Sequence, residues 1–146
     1  VEAELLYQRG RPPRASYIFK HALIQDVAYA SLLRSTRQQV HAQVAQLLEA
    51  RFPETVATQP ELVAHHYTEA GAHEPAVDYW QRAGRQAVKR SAYVEAIQHL
   101  SKGVEVLRTL PETPARDQHE LTLRISLGAA FSMTRVVTRR ALGWFT

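Results

Sequence analysis

The tightest constraint on this chain's fold is an internal repeat. Gly71-Ala72-His73-Glu74-Pro75-Ala76-Val77-Asp78-Tyr79-Trp80-Gln81-Arg82-Ala83 aligns with Ser91-Ala92-Tyr93-Val94-Glu95-Ala96-Ile97-Gln98-His99-Leu100-Ser101-Lys102-Gly103, 20 residues further on. That offset is one helix plus a turn, so a two-helix unit spans roughly forty residues, near the length of helical-hairpin repeats. Ala76 and Ala96 hold equivalent places, where two helices must approach closely. Ala76, Trp80, Ala83 and Ala87 share one helical face, and Ala96, Leu100, Val104 and Leu107 share its counterpart. A single helix of this kind cannot bury its face alone, so the pattern predicts stacked helices.

The remaining segments fit a mainly α chain, with a small β-hairpin ahead of tetratricopeptide-like helical hairpins. Leu5-Leu6-Tyr7-Gln8 and Ser16-Tyr17-Ile18-Phe19 are β-prone runs flanking Arg9-Gly10-Arg11-Pro12-Pro13-Arg14, whose glycine and prolines favour a turn. This predicts a hairpin like the wing of a winged-helix domain. Leu23, Ile24, Val27, Ala28 and Leu32 then mark an apolar helical face. A Ser35-x-x-Gln38 capping box precedes Val40, Val44, Leu47 and Leu48, and Pro53 ends that helix. A second box, Thr58-x-x-Glu61, opens a helix carrying Leu62, Val63, His66, Tyr67 and Ala70, closed by Gly71. Thr113-Pro114 starts a last helix with Leu121, Ile125, Gly128 and Ala129 on one side, and no clear period follows Ser132. The expected divisions are 1–52 for the winged-helix part and linking helices, 58–131 for the repeats, and 132–146 for an unassigned basic tail.

With 146 residues the chain can bury one moderate core or several stacked hairpins. It contains no cysteine, which excludes a disulfide framework and cysteine-ligated zinc. No apolar run reaches membrane-span length and the N-terminus lacks signal-peptide order, so a cytoplasmic chain without membrane contact is expected. The net charge of +4 divides into +2 before Thr58, zero from Gln59 to Leu110, and +2 beyond, so the repeats offer no continuous basic track. The missing initiator Met and an opening in mid-pattern at Val1-Glu2-Ala3-Glu4 point to a piece of a larger protein.

Sequence motifs for catalysis are missing. There is no Gly-x-x-x-x-Gly-Lys-Ser/Thr, no Gly-x-Ser-x-Gly and no His-Glu-x-x-His, so no enzyme activity and no cofactor are expected of this chain. His65, His66 and His73 lie close together, but adjacent helical residues point about 100° apart and Gly71 separates His73 from the others, so no metal site is expected. His66 is read instead as packed beside Tyr67, and Trp80 as core. His21 falls where a strand gives way to a helix, a place where an imidazole and unpaired amides can meet a phosphate. Arg9-Gly10-Arg11-Pro12 resembles an AT-hook, whose arginines enter the minor groove of A·T-rich DNA.

The run Phe19-Lys20-His21-Ala22-Leu23-Ile24-Gln25-Asp26-Val27-Ala28-Tyr29, followed by Pro60-Glu61-Leu62-Val63-Ala64-His65-His66-Tyr67, resembles the C-terminal half of bacterial signal-transduction ATPases with numerous domains. In that family an AAA-type ATPase domain precedes a winged helix and tetratricopeptide repeats, and is often fused to a class III nucleotide cyclase, a kinase or a DNA-binding output domain. The resemblance implies an upstream ATPase domain as partner, and ATP or ADP with Mg as ligands of the parent protein. It also implies a nucleotide-sensing role for His21 with Lys20, since His21 matches by position the histidine of a Met-His-Asp motif that holds ADP in related switch ATPases. Lys20 and Ala22 stand where that motif has Met and Asp.

The functional expectation is therefore a non-catalytic regulatory segment that relays nucleotide state to a helical scaffold with a protein partner. The alternative is a nucleic-acid-binding module using Arg9, Arg11 and Arg14 of the wing with the basic tail.

Overall fold

The structure is a computed structural model that describes residues 6–9, 11, 16–19 and 22–142. It is mainly α-helical, and it divides into two units, Val1–Arg37 and Gln38–Thr146. The division falls inside a helix.

In the first unit, β1 (Leu6–Arg9) pairs antiparallel with β2 (Ser16–Phe19), in the register Leu6↔Phe19 to Arg9↔Ser16. This is the hairpin that the two β-prone runs predict. Helix α1 (Ala22–Ser31) follows and ends where the Ser31 hydroxyl donates to the Ala28 carbonyl at 2.7 Å. Helix α2 (Arg34–Arg51) carries Arg37 in its first turn, with the guanidinium 5.2 Å over the Tyr29 ring, and runs on into the second unit.

The second unit adds α3 (Pro53–Thr58), α4 (Pro60–Ala70), α5 (His73–Lys89), α6 (Tyr93–Leu107) and α7 (Pro114–Leu142). Each helix from α4 onward packs on its successor, as stacked hairpins require. The two turns bounding α5 are copies of one another. Gly71 and Ser91 both take left-handed backbone, at φ 76° and 60°, and the next amide donates five residues back, Ala72 to Tyr67 and Ala92 to Ala87, each at 2.9 Å. The sequence repeat is thus also a repeat of the helix stop.

Both repeat faces are buried as their spacing predicts: Ala76, Trp80, Ala83 and Ala87 on α5, and Ala96, Leu100, Val104 and Leu107 on α6. Gly84 lets these helices close, because a Cβ there would stand 2.5 Å from Cγ and Cδ2 of Leu100. Trp80 is clasped by its neighbours: its indole N–H donates to the Thr68 hydroxyl at 3.0 Å, His99 stacks on the ring at 5.7 Å, and the Lys102 ammonium sits 4.8 Å over it.

Several local expectations are corrected. Ser35 lies inside the first turn of α2, one residue past its start, so it does not cap the helix. Thr58 closes α3 and its hydroxyl donates to the Glu54 carbonyl at 2.9 Å; Gln59 precedes α4, with Pro60 at the first helical position. Pro53 follows the end of α2 at Arg51, as expected of it, and also opens α3, because a residue lacking an amide hydrogen is best placed in a first turn. At Thr113 the hydroxyl does accept from the Arg116 amide at 3.2 Å, as the start of α7 requires.

The inward face of α7 is Leu123 and Ala130, with Leu127 partly buried, whereas Leu121 and Ile125 of the expected stripe are exposed. Two apolar rows run along this helix, and the gap at Gly103 selects the row that holds Leu123; a Cβ on Gly103 would meet Leu123 at 3.3 Å. Helix α7 also continues without a break through residues 132–142, the stretch that has no sequence period.

Candidate interaction groove

Helix α2 meets α4 and α5 through polar side chains. Its inward residues are His41, Ala45 and Leu48, while Val40 and Leu47 of the expected apolar face are exposed. Glu49 stands one turn beyond Ala45, and its two oxygens accept from the Tyr67 hydroxyl at 2.6 Å and the Tyr79 hydroxyl at 2.7 Å. The two rings lie stacked 6.0 Å apart. Burial first, and then the neighbouring carboxylate, raise both phenols above their ordinary range, so each keeps its proton and remains a donor.

That buttress forms one end of a groove of about 730 Å³, with Pro53, Val56 and Pro60 of α3 and α4 along one wall. The opposite wall is α5, where Arg82, Arg85 and Lys89 stand at helical spacing of three and four and project from one face. Gln86 between them donates to the Thr58 carbonyl at 3.0 Å and ties α5 to the α3–α4 junction. The Arg82 guanidinium lies 4.8 Å over the Tyr79 ring. Among the described residues none of these three cations forms an ion pair, whereas Arg90 pairs with Glu95, and Arg116 and Arg124 pair with Glu120. Glu49, the carboxylate of the groove, has both oxygens committed to tyrosines.

A second cluster lies at the α2–α4 contact. His41 Nδ1 and His66 Nδ1 are 2.8 Å apart, and the His65 ring lies edge-on at 5.9 Å from His41 and 5.5 Å from His66. One ring must carry hydrogen on Nδ1 and the other must present a lone pair, so the contact needs at least one neutral imidazole. Burial is the main cause that lowers both His41 and His66 below the ordinary imidazole range; neighbouring histidines add to it, and Glu69 opposes it in part. Among the described residues no three histidine or carboxylate side chains are arranged to hold a metal ion.

His21 and Lys20, the residues expected to sense nucleotide, lie outside the described residues, as does Arg14. Arg9 ends β1 and is exposed, as is Arg11 beyond it. The groove cations escaped sequence reasoning because their region sums to zero charge. Their spacing along α5 was the available signal.

Among the described residues no helix is long and apolar enough to cross a membrane. The chain is 29% identical over 117 residues to an uncharacterized protein of Rhizobium meliloti (strain 1021), a match covering 80% of this chain and 11% of that protein. No protein-family model matches the chain. No solved structure matches it.

Proposed function

We propose that this chain is a non-catalytic regulatory and protein-interaction segment of a larger nucleotide-dependent signalling ATPase. In this role the winged-helix part relays nucleotide state, and the helical hairpins present a surface to a protein partner. The observation that carries the reading is the open groove on a stack of hairpins, with a row of cations that form no ion pair among the described residues. Repeats suit such a task because each added hairpin extends one continuous surface without a new core. The much longer relative, of which the chain matches 11%, is compatible with a segment working inside a larger polypeptide.

Two measurements test this. The purified chain should turn over no ATP above a buffer blank, since it carries no phosphate loop. In the parent protein, His21→Ala should weaken ADP retention by about ten-fold to a hundred-fold, the loss of one charge-assisted hydrogen bond, and raise basal output. ATP turnover by the chain, or unaltered ADP affinity with unaltered output, would refute the relay.

A further inference from the structure

We infer that the groove between α3 and α5 is a docking site for an extended acidic segment of a partner protein, in which carboxylates alternate with apolar side chains. This deepens, and rests on, the scaffold reading above.

Charge comes first. Arg82, Arg85 and Lys89 are exposed, share a face and form no ion pair among the described residues, while Arg90, Arg116 and Arg124 of the same unit are paired. Glu49 is the single carboxylate lining the groove and accepts from Tyr67 and Tyr79, so against three cations the described lining keeps an excess of positive charge. A row of cations left open in this way among the described residues suits an acidic ligand.

The two walls then choose the form of the ligand. One is cationic and the other, with Pro53, Val56 and Pro60, is apolar. An extended strand sends successive side chains to opposite sides, so acids on one side and apolar groups on the other satisfy both walls at once. Arg82 to Lys89 covers about 10 Å of helix at 1.5 Å per residue, within reach of three carboxylates about 6.7 Å apart on an extended peptide. An RNA strand would find the cations but not a use for the apolar wall. Gln86, which donates to the Thr58 carbonyl at 3.0 Å, links α5 to the α3–α4 junction across the groove.

The test uses the full chain and an octapeptide of alternating glutamate and leucine, fluorescein-labelled at its N-terminus and amidated at its C-terminus so that no backbone carboxylate is offered, with a lysine–leucine octapeptide carrying the same label. Fluorescence anisotropy should show saturable binding that weakens with added salt, as exposed charge contacts do. The double reversal Arg85→Glu with Lys89→Glu should lower affinity by about 30-fold or more, through like-charge repulsion. Both residues are exposed, and unchanged circular dichroism certifies the fold. Arg9→Gln with Arg11→Gln should leave binding unaltered.

Absence of saturable binding, equal affinity in the reversal variant, or equal affinity for a lysine–leucine octapeptide overturns the assignment. Tighter binding of a single-stranded oligonucleotide through Arg85 and Lys89 overturns it in favour of nucleic acid. The scaffold reading fails separately: if the parent's output ignores nucleotide state, that reading falls even with the peptide bound. If the peptide fails while deletion of the repeats still abolishes the parent's output, only the acidic ligand falls.

Discussion

The two units of this chain use the same kind of residue to opposite effect. In the first, Leu23, Val27 and Leu33 are 78%, 69% and 74% exposed. In the second, Leu100 and Leu107 are at most 1% exposed, and Trp80 is 4% exposed. The first unit offers a two-stranded hairpin and a ten-residue helix, too little surface to cover an apolar face. The repeats succeed because α5 and α6 each find a neighbour on both sides, and because Ala76, Gly84 and Ala96 let those neighbours close in. Amphipathic spacing tells which residues are suited to burial, and a neighbouring element decides whether they are buried.

The sharpest way to break this contrast is a pair of truncations. Trp80→Ala should cost about 3–5 kcal/mol, from lost burial and the cavity left between α4, α5 and α6. Leu23→Ala, at an exposed position, should change stability by less than about 0.5 kcal/mol. Urea midpoints of both variants decide the matter, and comparable losses would mean that α1 is covered after all.

Overpacking probes the same contrast from the other side. Gly84→Ala puts a methyl 2.5 Å from two atoms of fully buried Leu100, so it should destabilise by about 1–2 kcal/mol even though alanine favours the helix. A stabilised variant would show that α5 and α6 can part without loss.

The smallest expected effect concerns the polar seam at α2. His41 and His66 have folded-state values below the ordinary imidazole value, so the unfolded chain binds more protons as pH falls below about 6.5. The stability they contribute is present above that pH and is lost as pH drops through their lowered folded values. The urea midpoint should therefore fall between about pH 7.5 and pH 5.5, and the fall should shrink in His66→Gln. An equal pH dependence in that variant would remove the histidine contact from the account.

Much of the second unit was legible beforehand because it rests on local spacing. The 20-residue offset, the faces of α5 and α6, the stop at Gly71 and the cap at Thr113 all follow from helix geometry. The β-hairpin was legible for the same reason, since Pro12, Pro13 and Gly10 separate two β-prone runs. The failures share a cause as well. On α7 two apolar rows were equally suited to burial, and on α2 the inward face carried His41 and Glu49, which a search for apolar residues passes over.

The groove was the least legible part. Its cations come from α5, its apolar wall from α3 and α4, and its buttress from α2, with no short motif linking them. Local sequence by itself determined that this chain forms stacked helices, with the faces of α5 and α6 and the stop at Gly71, because helix period, small-residue placement and turn chemistry act within a few residues. Tertiary structure alone decided that Leu123 and not Leu121 turns inward, that His41 meets His66, and that Glu49 is taken by two tyrosines while Arg82, Arg85 and Lys89 are left open. Those outcomes depend on which side chains from distant positions compete for one space or one partner, and that competition exists only once the helices have packed.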